Sequence, residues 1–256
     1  MIRYAILGSG SSANAYLIGY QGKTILIDCG FSFKELKRRA ELVDADLSTL
    51  QAVLLSHTHA DHMKGVATLS RACKVPVYLH HMLDGSIFSG KKPIPLVPVT
   101  PGETYTIGPF SVRVFSISHD AAYAVNFHIT VGGRVLMVAT DTGIITSEMQ
   151  RLMDTADILF LEANYDEEML ADGPYPYYLK QRIASDTGHL SNSDAIQAIQ
   201  HFSSDERPSR VFLCHMSAVN NHPQILQQRV YDELGTSRKI VVCAKGSRHT
   251  GELQTL

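Results

Sequence analysis

One nine-residue stretch constrains this chain more than any other: Leu54-Leu55-Ser56-His57-Thr58-His59-Ala60-Asp61-His62. Four metal-capable side chains fall within six positions, directly after an apolar run. In extended backbone the side chains alternate with period two, so His57 and His59 face the same side. Asp61 and His62 then fall at the turn into a helical pattern. The spacing divides the donors: two imidazoles for one cation, a carboxylate and an imidazole for a neighbour. Neutral imidazole and carboxylate suit zinc or manganese, with iron also compatible. Twelve histidines make one chance His-x-His ordinary; the complete string at the end of an apolar run is another matter.

The remaining residues must build a frame for that edge. With 45% hydrophobic and 19% charged residues, there is ample material for a core and no mark of disorder. The formal net charge of -2 gives no general pull toward nucleic acid or membrane. A polyanionic substrate would therefore need a local patch or a metal. Cys29, Cys73, Cys214 and Cys243 form no Cys-x-x-Cys pair, and they read as apolar packing in a reducing compartment. The run from Met1 to Gly8 is too short for a signal peptide. No segment has the length to span a bilayer. The expectation is a cytoplasmic protein of one domain, residues 1–256, with no membrane partner; the oligomeric state is left open.

Short apolar runs predict strands at 2–8, 14–19, 23–28, 51–55, 75–79, 103–107, 110–117, 124–131, 134–139, 157–161, 209–214 and 239–243. Helical patterns occupy 32–42, with Ser32 as N-cap, then 62–71, 146–153, 166–171, 176–184, 191–202 and 222–234. The stretch 86–101, with four prolines and Lys91-Lys92, reads as a mobile surface loop. His80-His81 reads as the exposed start of a helix. Both halves place strands first and strand–helix alternation after. That order suits an α/β fold of two mixed sheets packed face to face with helices outside.

The string His57-x-His59-x-Asp61-His62 resembles the signature of the metallo-β-lactamase fold superfamily. The resemblance implies an αββα sandwich with a dinuclear site at one edge of the sheets. It also implies further metal ligands at later strand ends: His119 after Phe115-Ser116-Ile117-Ser118, Asp141 after Val138-Ala139-Thr140, and His215 after Val211-Phe212-Leu213-Cys214. Asp28, closing Ile25-Leu26-Ile27, matches an early aspartate that orients the histidine cluster from behind. Asp61 or Asp141 would orient the attacking hydroxide shared by the two metals.

Further segments resemble the YycJ/WalJ branch of that superfamily. They are Gly8-Ser9-Gly10-Ser11-Ser12-Ala13-Asn14, Ser118-His119-Asp120-Ala121, Thr140-Asp141-Thr142-Gly143, Glu162-Ala163-Asn164-Tyr165-Asp166, Tyr175-Pro176-Tyr177-Tyr178, Gly188-His189-Leu190-Ser191-Asn192 and His215-Met216-Ser217. Ala13 and Met216 depart from the usual Gly and Leu. The likeness implies a phosphodiesterase, specifically a 5′-to-3′ exodeoxyribonuclease acting on nucleic acid, DNA in the first place. It places His189, Ser191 and Asn192 at the scissile phosphate, with His189 giving a hydrogen bond or a proton. Read from its residues alone, that segment is equally a turn with Ser191 or Asn192 capping the next helix.

Lys64, Arg71, Lys91, Lys92, Lys180, Arg182, Lys245 and Arg248 are the candidate phosphate partners. Tyr16, Tyr123, Tyr165, Tyr175, Tyr177 and Tyr178 are candidate stacking surfaces. The rival reading is a thioester or lactone hydrolase of the glyoxalase II kind, which would use the same donors. A second rival is a binding module that keeps the fold without the chemistry.

Overall fold

The computed structural model describes residues 1–88, 92–202, 207–235 and 239–255. Among these, fourteen strands form two seven-stranded sheets. The first contains β1 (Ile2–Gly8), β2 (Ala15–Tyr20), β3 (Lys23–Ile27), β4 (Leu50–Leu54), β5 (Val77–His80), β6 (Leu96–Val99) and β14 (His249–Leu253). Its order is β14-β1-β2-β3-β4-β5-β6. The second contains β7 (Thr104–Ile107), β8 (Phe110–Ser116), β9 (Val125–Val131), β10 (Arg134–Ala139), β11 (Ile158–Glu162), β12 (Arg210–Cys214) and β13 (Ile240–Val242), in the order β13-β12-β11-β10-β9-β8-β7. Each sheet is half antiparallel hairpins and half parallel strands. β3, β4, β5 and β6 run parallel in one, and β10, β11, β12 and β13 in the other.

Alternation along the strands fixes the layers. Ile2, Tyr4, Ile6, Tyr16, Ile18, Ile25 and Ile27 meet Phe110, Phe127, Phe160 and Phe212 between the sheets. The intervening residues Leu7, Leu17, Leu26, Val53 and Val77 face outward beneath α1 (Phe33–Glu41) and α3 (Val66–Cys73). Met137, Leu159, Leu161 and Leu213 do the same beneath α4 (Ser147–Met153), α7 (Asn192–Gln200) and α8 (Pro223–Leu234). Short helices α2 (Ala60–Met63), α5 (Glu167–Asp172) and α6 (Tyr177–Ile183) complete the set. The result is the αββα layering expected from the sequence. Ser32 caps α1 by accepting the Glu35 N–H.

Three expectations need correction. The stretch 86–101 is not simply a loop, because Leu96–Val99 forms β6 beside β5. Pro98 is tolerated there because β6 is the edge strand; Lys91 lies outside the described residues. The helix expected at 62–71 is broken in two at Gly65. A Cβ there would lie 2.0 Å from the Phe31 carbonyl oxygen, so glycine is needed where the break packs on the segment between β3 and α1. His80 does not begin an exposed helix: it ends β5 and is buried. β14 was also not expected; it adds to the free side of β1.

Candidate metal centre

Parallel strands deliver their C-terminal ends to one edge. Asp28 follows β3, His57 to His62 follow β4, Asp141 follows β10, Glu162 ends β11 and His215 follows β12. β8 runs in the same direction as β10, since each is antiparallel to β9, and so brings His119 to the same place. Asp28, Asp141 and His215 have φ of 58°, 59° and 56°. That left-handed conformation is uncommon for residues with a side chain. It turns each side chain inward just as its strand ends.

The expected donors converge. Ligand-capable atoms of His57, His59 and His119 all lie within 4.8 Å of one another, as do those of Asp61, His62 and His215. Asp141 joins both groups: Oδ2 is 3.2 Å from His62 Nε2, and Oδ1 is 3.4 Å from His215 Nε2 and 3.8 Å from His119 Nε2.

Outer hydrogen bonds decide which nitrogen each imidazole presents. Asp28 accepts from the Ser56 N–H at 2.8 Å, the Ser56 hydroxyl at 2.7 Å and His62 Nδ1–H at 2.7 Å. With its proton given to Asp28, the Ser56 oxygen accepts from His57 Nδ1–H at 2.9 Å. His57 Nε2 is thereby left bare and buried, with no hydrogen-bond partner among the described residues. The Gly188 carbonyl takes His119 Nδ1–H at 3.1 Å. Nε2 of His119 then faces Nδ1 of His59 at 3.1 Å, and Asp120 Oδ1 lies 3.5 Å from the other nitrogen of His59. Asn14 Oδ1 accepts the Gly10 N–H at 2.9 Å, which aims its amide N–H group at His62 Nε2, 2.9 Å away, and at Asp61 Oδ2, 3.3 Å away.

These residues fit a pair of cations. Asp141 Oδ2, like His57 Nε2, is buried with no hydrogen-bond partner among the described residues, and such atoms are costly unless something occupies them. Two ring nitrogens facing each other at 3.1 Å need a proton or a cation between them. Burial, and then the neighbouring His62, hold His57 well below the ordinary imidazole pKa, which keeps it neutral as a ligand must be. Burial works against charge on His215, but Asp141, Asp61 and Glu162 outweigh it and raise its pKa well above the usual value. A proton there balances the carboxylates that a metal would otherwise neutralise.

Sequence reasoning gave Glu162 no role. It is fully buried at the end of a wholly apolar strand. Oε1 accepts from His189 Nδ1 at 2.8 Å and His215 Nδ1 at 2.9 Å, and Oε2 accepts the Thr142 N–H at 2.8 Å. Despite burial, these imidazoles hold its carboxyl below the ordinary glutamate range. The signal was available: a carboxylate closing an apolar run must be paired once buried. Asn14 and Asp120 were likewise without assigned roles.

His189 stands at the mouth, its ring stacked on His215 at 5.3 Å and 27°. Burial opposes its protonation, yet Glu162 raises its pKa. Ser191 and Asn192 are buried, with internal partners. Ser191 caps α7 by accepting the Asp194 N–H, and Asn192 exchanges amide hydrogen bonds with Asn221. Of the candidate cations, Arg182 pairs with Asp120 beside His119. Tyr16 and Tyr165 are buried, whereas Tyr123, Tyr177 and Tyr178 are exposed. No helix among the described residues is long and apolar enough to cross a membrane.

A sandwich with two adjoining donor groups at one edge is the framework of a dinuclear metal-dependent hydrolase. Residues 23–216 match the family described as Beta-lactamase superfamily domain. The chain is 32% identical over 237 residues to exodeoxyribonuclease YycJ of Bacillus anthracis, covering 90% of this chain and 88% of that one. It is 31% identical to exodeoxyribonuclease WalJ of Streptococcus pneumoniae, strain D39, over 91% and 88% of the two chains. In fold it resembles the metallo-beta-lactamase fold protein YhfI of Bacillus subtilis, with a TM-score of 0.74, 19% identity, and coverage of 98% of this chain and 99% of that one. The chain therefore belongs to the beta-lactamase superfamily and, within it, to the family of YycJ and WalJ. It is a metal-dependent hydrolase, and its donor set implies divalent cations.

Proposed function

We propose that the chain is a phosphodiesterase that degrades nucleic acid, DNA in the first place, from the 5′ end. His57, His59 and His119 would hold one divalent cation, zinc or manganese. Asp61, His62 and His215 would hold a second, and the Asp141 carboxylate faces both donor groups. When bound, such cations supply Lewis acidity and a water molecule of lowered pKa. Asp61 or Asp141 would orient the attacking water through its carboxylate.

The observation that carries the phosphodiester reading is the Glu162–His189 pair beside the donors. Glu162 holds Nδ1, so Nε2 on the far side of the ring points away from the carboxylate. Among the described residues nothing hydrogen-bonds Nε2. With its pKa raised, His189 can carry a proton near neutral pH and donate it to the leaving oxygen. A thioester, whose thiolate leaves readily, has less need of such a donor. Ser191 and Asn192 support this reading by fixing the segment that carries His189. The relatives named exodeoxyribonuclease, similar over nine-tenths of the chain, point to the same substrate class.

The test is incubation of the purified protein with 5′- and 3′-labelled DNA and RNA, a chromogenic phosphodiester and a thioester, under zinc and under manganese. Release of nucleotides from the 5′ end of DNA is expected. Turnover of the thioester alone would remove the nuclease reading. In parallel, His59→Ala should abolish activity and lose at least one equivalent of bound metal.

A further inference from the structure

Three stacked rings stand at the same edge as the donors, and neither donor group uses them. β5 ends at His80, and because β4 and β5 are parallel that end lies beside the segment leading to His57. The loop between β8 and β9 is closed by the Ile117 N–H on the Ala124 carbonyl at 3.3 Å. It is tied to the histidine segment by the Val125 N–H on the Ser56 carbonyl at 3.0 Å. This one loop carries both His119 and Tyr123. The Tyr123 ring stacks on His80 with centroids 5.0 Å apart and 21° between planes. His81 stacks on His80 at 4.4 Å and 25°.

The arrangement is more than packing. Tyr123 is held at φ 59°, the conformation shared by Asp28, Asp141 and His215 in the adjoining site. A bulky residue adopts it only when its surroundings enforce it. Yet Tyr123 is 45% exposed, so the ring has been placed without being buried. His80 accepts the Met82 N–H at Nδ1, 3.1 Å away, which leaves that nitrogen bare and the ring neutral. The buried neutral ring backs an exposed one and gives it a firm floor.

We infer that the His80–Tyr123 stack is a nucleobase subsite, in which a base of the strand being cleaved extends the ladder by stacking on Tyr123. The inference rests on the phosphodiesterase reading above and names the part of the substrate recognised beyond the phosphate. Bases stack on aromatic side chains regardless of sequence, which suits an enzyme that must accept each nucleotide in turn. With a net charge of -2, the chain has little general attraction for phosphate, and stacking supplies affinity that charge does not.

The test compares wild type, Tyr123→Ala and Tyr123→Phe on single-stranded DNA, and on strands with one abasic nucleotide at the first, second or third position from the 5′ end. Tyr123→Ala should raise KM on the intact strand about tenfold, the order expected for one lost base stack. Tyr123→Phe should keep the wild-type KM. At one abasic position wild type should lose the same factor, and Tyr123→Ala should lose nothing more. An unchanged KM in Tyr123→Ala, or a deficit that persists at all three abasic positions, would overturn the inference while leaving the phosphodiesterase reading intact. A wild-type enzyme that cleaves no nucleic acid would remove both.

Discussion

Glu162 Oε1 accepts the Nδ1–H of His189 at 2.8 Å. The same oxygen accepts from His215 at 2.9 Å, so one buried carboxylate orients a donor of the metal group and the residue at its mouth. Glutamine in its place has one acceptor oxygen, so its amide N–H group would face either both imidazoles or the Thr142 N–H. Glu162→Gln should lower both kcat and metal affinity, each by about 10–100-fold, as loss of a partner behind a ligand generally does. Steady-state kinetics and metal titration would read the two effects. A variant with full activity and full metal affinity would show that the carboxylate only fills space.

Asp28 makes a different kind of demand. It is buried and takes three hydrogens, two from Ser56 and one from His62. An asparagine in its place could accept at one oxygen only. Asp28→Asn should destabilise the protein by about 3 kcal/mol, the scale of a broken buried charged network. Urea denaturation would measure it. Because His62 belongs to the group with Asp61 and His215, the same variant should lose one metal equivalent more readily than the other.

Protons and metal compete here with a definite sign. The folded pKa of His215 is raised above its ordinary value of 6.5. Its contribution to stability in the metal-free protein is therefore complete below about pH 6.5 and is lost as pH rises toward the folded pKa. His57 is shifted the other way; its contribution is present above about pH 6.5 and is lost as pH falls. With His57 and His215 holding metal as proposed, both rings would be neutral in the loaded protein, so the loss above about pH 6.5 would disappear. The increase in Tm caused by metal should therefore widen as pH rises above about 6.5. Calorimetry with and without a chelator would show it, and a gap that is constant or narrows with pH would contradict the assignment of His215.

How far the site was legible in the sequence follows from how each residue reaches it. His57, His59, Asp61 and His62 share one short segment, and their spacing was readable directly. His119, Asp141 and His215 are isolated at strand ends; only family resemblance selected them, because parallel strands bring their ends together in space and not in sequence. The sandwich itself was readable because β1 and β2 are short apolar runs set off by glycine-bearing turns, and β8 and β9 partly alternate. β6 was hidden by Pro95 and Pro98, and β14 by a polar sequence, His249-Thr250-Gly251-Glu252-Leu253, that has little apolar face of its own. Glu162 was overlooked for a related reason: its partners His189 and His215 are 27 and 53 positions away.

The last prediction concerns a residue with no chemistry. Gly30 follows β3 and lies against the backbone that bears Asp61. A Cβ at this position would sit 1.8 Å from the Asp61 carbonyl oxygen and 2.8 Å from the Ala13 Cα. The segments there are laced by Gly30 N–H on the Asn14 carbonyl at 3.0 Å and Asn14 N–H on the Asp61 carbonyl at 2.8 Å. Backbone cannot rotate aside as a long side chain can, so Gly30→Ala must displace α2 together with Asp61 and His62. The variant should lose about 3 kcal/mol, the upper end for overpacking, and should fail to retain the second metal. Gly102→Ala separates this close approach from a general intolerance of alanine. Gly102 has φ 91° and nothing within 4 Å of an added Cβ, so its substitution should cost about 1 kcal/mol of backbone strain and leave metal stoichiometry alone. Equal metal content in Gly30→Ala and Gly102→Ala, measured on the folded fractions, would mean that the contact beneath Asp61 does not set the geometry of the site.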